Sequence, residues 1–167
     1  HGTGRNSGVV HSGIYYAEGR LRAQLCVSGA QKMLDYVAAN ELWSDRCGKL
    51  LVPPSESSLD SLDILVKRGL ANGVEIHRIT GQEALELEPR ANTQFDQALY
   101  IPITSVVNPT EVAERVRKDV VELGGVIYYG TRAAAFGARR GIVHTRMGTF
   151  EAGTVINAAG LFADQVA

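Results

Sequence analysis

Residues 108–151 read NPTEVAERVRKDVVELGGVIYYGTRAAAFGARRGIVHTRMGTFE, and a change of period halfway along this stretch decides the fold class. Asn108 is a capping residue, Pro109 has the fixed φ of a first helical position, and Glu111 brings the negative charge that a helix N-terminus attracts. Val112, Val116, Val120 and Leu123 follow at three- and four-residue spacing, the stripe of a helix with one buried face, until Gly124-Gly125 ends it. From Val126 the pattern turns into short strands at Val126–Tyr129, Arg132–Phe136, Ile142–Arg146 and Phe150–Asn157. Gly137-Ala138-Arg139-Arg140-Gly141 and Met147-Gly148 supply turns between them. A helix feeding a β-meander predicts antiparallel pairing here.

The sequence before this stretch alternates helices and strands irregularly. Between Glu18 and Glu41, Leu21, Leu25, Met33, Leu34 and Val37 mark an amphipathic helix, with Gly29 its weak point. A strand over Arg46–Val52 is stopped by Pro53-Pro54. Ser55 opens a second helix carrying Leu59, Leu62, Leu65, Val66 and Leu70, which closes at Asn72-Gly73. Val74–Ile79 reads as a strand, Thr80-Gly81-Gln82-Glu83 as a capping box for a short helix ended by Pro89, and Ala98–Ile103 as another strand. The expected fold is α+β (mixed α/β), with a mixed, largely antiparallel sheet and helices packed on one face.

Composition narrows the function. The chain has 167 residues, 17 Lys+Arg against 18 Asp+Glu, and 45% hydrophobic residues, which suits one ordinary globular unit. A formal net charge of −1 offers no field for a phosphate backbone, so nucleic acid is not an expected partner. No apolar run approaches the roughly 20 residues of a transmembrane helix. Cys26 and Cys47 are too few for a disulfide framework, and His1, His11, His77 and His144 show no metal-ligand spacing, so no metal is expected. The chain opens at His1 without Met and ends in what reads as the first turns of a helix at Gly160–Ala167, so flanking segments of the same protein are expected on both sides.

Three places stand apart from scaffold: the loop Gly2-Thr3-Gly4-Arg5-Asn6-Ser7-Gly8 with His11, the pair Tyr15-Tyr16, and the segment Val155-Ile156-Asn157-Ala158-Ala159-Gly160. Small residues let backbone amides approach a ligand closely, which a ring- or anion-binding loop requires. The loop is not the dinucleotide fingerprint, because its last glycine falls one place late. A strand at Val9-Val10 would carry His11 out of the loop toward a bound ligand, where an imidazole takes protons near neutral pH. Read without context, the loop could equally be a frayed end, the second segment a tight packing turn, and the histidine a structural one.

Arg5-Asn6-Ser7-Gly8-Val9-Val10-His11-Ser12-Gly13-Ile14-Tyr15-Tyr16, then Leu21-Arg22-Ala23-Gln24-Leu25-Cys26 and Cys47-Gly48-Lys49-Leu50-Leu51-Val52, resemble the L-2-hydroxyglutarate oxidase/dehydrogenase family. Those are flavoproteins of the D-amino-acid oxidase and glycerol-3-phosphate dehydrogenase superfamily. Val155–Asp164 resembles the second flavin-contacting turn of that superfamily. The resemblance implies an FAD enzyme acting on a small 2-hydroxy acid, with hydride passing to flavin and His11 as the base that takes the hydroxyl proton. It implies cofactor contacts at Asn6, Ser7, Gly8, Ala133, Ala158, Ala159 and Gly160. Relatives with this motif often carry His where Arg5 stands, and Arg5 would instead offer a bidentate donor to a substrate carboxylate.

The same resemblance implies a central fragment without the amino-terminal Gly fingerprint: residues 1–17 a flavin-side loop, 18–108 a substrate-side domain, and 109–167 part of the FAD-binding domain. Such a fragment would retain little FAD and show no turnover by itself. The implied location is cytoplasmic, with peripheral membrane attachment as the variant. Two other readings stand beside this one: a related amino-acid or amine oxidase or glycerol-3-phosphate dehydrogenase, and a non-catalytic binding domain that keeps the fold.

Overall fold

The computed structural model describes residues 2–137 and 141–166. The central three residues of the expected Gly137–Gly141 turn lie outside the described residues, as do the terminal His1 and Ala167. Five helices and nine short strands are found among the described residues, and the chain divides into a unit from Thr3 to Arg115 and a second from Val116 onward. The α+β class stands, and every strand pairing is antiparallel. The strands form three separate three-stranded sheets, where the sequence suggested one.

In the first unit, β1 (Val9–Val10) and β2 (Ser44–Asp45) flank β6 (Ser105–Val107), while β3 (Lys49–Leu51) and β4 (His77–Ile79) flank β5 (Ala98–Ile101). The second sheet packs on α2 (Leu59–Ala71), burying Leu62 against Leu99 and Ile101, with Ile14 and Val74 in the same cluster. Removing such side chains from water supplies about 1.5–3 kcal/mol each, which is why the alternate strand positions Leu99 and Ile101 are apolar. Arg78 of β4 pairs with Asp63 of α2 at the rim. A smaller cluster joins Val37 of α1 (Leu21–Ala39) to Val107 and to Val112 of α4 (Pro109–Glu122).

Several expected elements change shape. The buried seam of α1 runs through Ala23, Ala30 and Val37, seven residues apart, while Leu21 and Leu25 stay exposed. Small residues let the helix lie close to its neighbours, and Leu25 with Met33 is left to line a cleft. Of the expected strand over 46–52 only Lys49–Leu51 (β3) forms; β2 ends before it at Asp45, and a bend whose Gly48 has φ of +73° separates the two. Only His77–Ile79 of the expected 74–79 strand forms a ladder, because Val74 is drawn to the end of α2 by its N–H to Gly69 O at 2.8 Å. Thr80 and Glu83 make the full capping box of α3 (Gly81–Leu87), the Thr80 N–H donating to Glu83 Oε2 at 2.7 Å.

The second unit is the meander β7 (Ala133–Phe136), β8 (Ile142–Thr145) and β9 (Gly148–Glu151), followed by a 3₁₀ turn at Gly160–Phe162 and α5 (Ala163–Val166). Gly141, with φ of +84°, accepts from the Ala152 N–H at 2.8 Å, and a side chain there would collide with Ala152 O. Residues 126–129 form no strand, because the described ladders of this sheet are β7 with β8 and β8 with β9. The last strand ends at Glu151 and not at Asn157, so Val155 and Ile156 remain exposed outside any ladder. Of the stripe expected on α4 only Val112 is buried; Val116 and Val120 are exposed in part and Leu123 almost fully.

Candidate functional site

The opening loop is ordered by its own polar groups. Asn6 Oδ1 accepts the Gly8 N–H at 2.8 Å and Asn6 Nδ2 donates to Thr3 O at 2.7 Å, an Asx-type turn. Gly8 has φ of +66°, and a Cβ there would stand 2.4 Å from Val107 O, so only glycine fits. Its carbonyl accepts the Val107 N–H at 2.9 Å, which joins the loop to the β1–β6 ladder.

Beyond this turn lies a cleft of about 480 Å³. Its floor is Gly8, Val9 and Val10, its far walls are Leu25, Ala30 and Met33 of α1, and Val107, Pro109 and Val112 close the side toward α4. His11 stands in this wall where β1 ends, and its carbonyl accepts from Cys26 Sγ at 3.4 Å. Burial pushes the Cys26 thiol above its ordinary range, which keeps it protonated. The volume lies within the roughly 300–1,000 Å³ of small-molecule pockets, and a nearly apolar lining with a few polar groups suits a flat aromatic ring. The size and apolar lining of the cleft fit a tricyclic flavin.

The sequence-predicted residues are brought together only in part. Asn6, Gly8 and His11 line the cleft, whereas Arg5 and Ser7 are exposed on the loop and do not. Ala133 opens β7, and Ala158, Ala159 and Gly160 stand at the 3₁₀ turn that leads into α5, all in the second unit. There Asn157 organises the turn, Oδ1 accepting the Ala159 N–H at 3.1 Å and Nδ2 donating to Ala163 O at 2.8 Å. Among the described residues no group of three or more His, Cys, Asp or Glu side chains is placed to hold a metal, and no helix is long and apolar enough to cross a membrane.

Sequence reasoning missed the contribution of α1, because Gly29, Ala30 and Cys26 look like ordinary helix residues. It also missed β6, whose three residues are too short for a periodic signal. A third omission is the turn after β1: Asn72, read as a helix cap, reaches back to it across 59 and 56 residues.

An apolar cleft of this size, lined by Gly8 and with one imidazole in its wall, has the dimensions and lining of a site for a planar organic ligand. The chain belongs to the FAD-dependent oxidoreductase family, whose description, FAD dependent oxidoreductase, it matches over residues 1–167. Over 169 residues it is 34% identical to an L-2-hydroxyglutarate dehydrogenase of Escherichia coli O17:K52:H18, covering 99% of this chain and 40% of that protein. With the mitochondrial L-2-hydroxyglutarate dehydrogenase of Mus musculus it shares 41% identity over 128 residues, 76% of this chain and 27% of the other. The chain thus spans about 40% of the length of the bacterial relative. Among solved structures it resembles L-alpha-glycerophosphate oxidase from Mycoplasma pneumoniae, determined with FAD bound, at a TM-score of 0.85 and 25% identity over 99% of this chain and 46% of that one. Glycine oxidase from Geobacillus kaustophilus shares the fold at a TM-score of 0.82 and 22% identity, over 98% of this chain and 46% of that one.

Proposed function

We propose that this chain is the flavin-side and substrate-side portion of an FAD-dependent enzyme that oxidises a 2-hydroxy acid of the L-2-hydroxyglutarate kind. One observation carries the reading: the family motif around His11 lies in the wall of an apolar cleft wide enough for a flavin ring. The relatives named as L-2-hydroxyglutarate dehydrogenases support the choice of substrate.

When bound, FAD would supply the two-electron acceptor for the hydride that leaves the hydroxyl-bearing carbon. The chain's own part is binding and proton transfer. The His11 imidazole takes the hydroxyl proton as the C–H bond breaks, so that the product is the 2-oxo acid. Gly8 and Asn6 hold the loop that borders the ring, and the walls of α1 exclude water from it. Arg5 is proposed to meet the carboxylate next to the hydroxyl, with Ser7 as a further flavin-side contact. Ala133, Ala158, Ala159 and Gly160 are proposed cofactor contacts of the second unit.

The proposed organisation is a flavin-side loop at 1–17, a substrate-side domain at 18–108 and part of the FAD-binding domain at 109–167. By itself the 167-residue chain is expected to hold little FAD and to show no turnover; stoichiometric flavin on the purified chain would overturn that. The proposed location is cytoplasmic, a point for cell fractionation.

The test of the function is an absorption spectrum of the full-length protein before and after anaerobic addition of L-2-hydroxyglutarate. Bleaching of the oxidised flavin band is the expected result. A flavin band indifferent to this compound discards the substrate, and the resemblance to L-alpha-glycerophosphate oxidase makes glycerol phosphate the next compound to add. Absence of a flavin band favours a binding domain.

A further inference from the structure

The turn that follows His11 is held by side chains from two distant elements. Asn72, at the end of α2, donates through Nδ2 to Gly13 O at 3.2 Å and to Tyr16 O at 3.0 Å. Arg68, one turn earlier, donates through Nη1 to Tyr15 O at 3.2 Å. Lys49 of β3 donates through Nζ to the Tyr15 hydroxyl at 2.6 Å and lies 4.4 Å from the centre of its ring. The described ion pairs are His77 with Glu75 and Arg78 with Asp63, so neither Lys49 nor Arg68 is paired with a carboxylate among the described residues.

Two half-buried cations at opposite ends of one tyrosine, without a counter-ion, make a local positive field that draws an anion. The donors left over match a carboxylate. Lys49 uses one of its three N–H groups on Tyr15, the phenol receives that bond and keeps its own O–H to give, and Arg68 spends one of five. Tyr15 is itself exposed, and Lys49 bonds its hydroxyl end. Tyr15 lies four positions after His11, a span of at most about 14 Å of chain, and Asn72 fixes that turn.

We propose that Tyr15, Lys49 and Arg68 form the subsite for the second carboxylate of a dicarboxylic 2-hydroxy acid, so that the protein prefers a diacid to a monoacid. This rests on the reading above, in which His11 acts at the hydroxyl-bearing carbon. Tyr15 and Lys49 touch the carboxylate; Arg68 contributes charge and holds Tyr15 by its backbone.

The experiment compares L-2-hydroxyglutarate with L-2-hydroxybutyrate in the full-length protein, for wild type, Lys49→Gln, Lys49→Arg and Tyr15→Phe. Hydrogen bonds to charged groups lead us to expect the kcat/KM ratio of diacid to monoacid to fall roughly 10-fold or more in Lys49→Gln, mainly through the KM of the diacid. A smaller fall is expected in Tyr15→Phe, and Lys49→Arg should retain most of the preference. An unchanged ratio in both Lys49→Gln and Tyr15→Phe overturns the proposal.

Calorimetric titration with glutarate, which has no hydroxyl to oxidise, reads the subsite apart from the reaction. Weaker glutarate binding in Lys49→Gln, with L-2-hydroxyglutarate left unoxidised by wild type, would keep the subsite and discard the reaction. Oxidation of the diacid with equal preference in all variants would do the reverse. No glutarate binding to wild type, together with no turnover, overturns both.

Discussion

His11 stands in an apolar wall with no hydrogen bond described at its ring nitrogens, which is the condition for a base whose proton partner arrives with the substrate. His11→Asn is expected to lower kcat of the full-length protein by roughly 10²–10⁴ while KM moves only a few-fold, measured by steady-state oxidation of L-2-hydroxyglutarate. A KM effect alone would make the histidine a binding residue. The two cysteines give a second residue-scale prediction. Cys47 is exposed, whereas Cys26 is partly buried with its thiol held protonated, so a thiol reagent at neutral pH should label Cys47 first and Cys26 only as pH rises. Because Cys26 lines the cleft, flavin loading should slow its labelling further, as read by mass spectrometry of the labelled peptides. At this scale the sequence is informative where a residue's chemistry is local: the Asn6 side chain bonds Thr3 and Gly8 within its own loop, and is visible there, whereas the need for glycine at position 8 comes from Val107. Tyr15 was noticed as part of a pair, but its partners Lys49 and Arg68 lie 34 and 53 residues away, and no spacing rule reaches that far.

Among the elements, α3 shows how far local chemistry goes. Thr80 and Glu83 were readable as a cap because both bonds close within four residues. The backbone N–H and then the hydroxyl of Thr80 hold the Glu83 carboxyl below its ordinary range. A carboxyl depressed in the folded state stabilises above its unfolded value and loses that contribution as pH falls through the folded value. Wild type should therefore lead Glu83→Gln in stability near neutrality and converge on it as the solution is acidified from about pH 6 to about pH 3, followed by urea unfolding. A constant gap across that range would show that the charge contributes nothing. Removing the cap oxygen itself, Thr80→Ala, should cost about 1 kcal/mol. By contrast, the stripe expected on α1 holds only in its second half: Val37 is buried with Met33 packed beside it, whereas Leu21 and Leu25 are exposed and the seam runs instead through Ala23 and Ala30, a choice that depends on neighbours helical periodicity does not contain. Strands at 126–129 and beyond Glu151 failed for a related reason, since β propensity needs a paired edge to become a strand.

For the whole molecule, stability is concentrated in one place. Leu99 is 0% exposed between β3, β4 and α2, and Leu99→Ala should cost about 2–5 kcal/mol and lower the Tm by on the order of 10 °C in a circular-dichroism melt. A loss below about 1 kcal/mol would mean that this cluster is not the principal core. Antiparallel pairing and the α+β class were legible because short strands, turns and capped helices are local, while the partition into three sheets was not, because it depends on which strands meet across long loops. The longest of those meetings also sets a schedule. The bond between the Gly8 carbonyl and Val107 joins residues that a ribosome makes 99 positions apart, so at roughly 5–20 residues per second the opening loop must wait about 5–20 s for its partner. During that interval the opening loop is an unfinished edge, open to proteases and chaperones, and mutations that slow completion of β6 would reduce yield without touching the cleft.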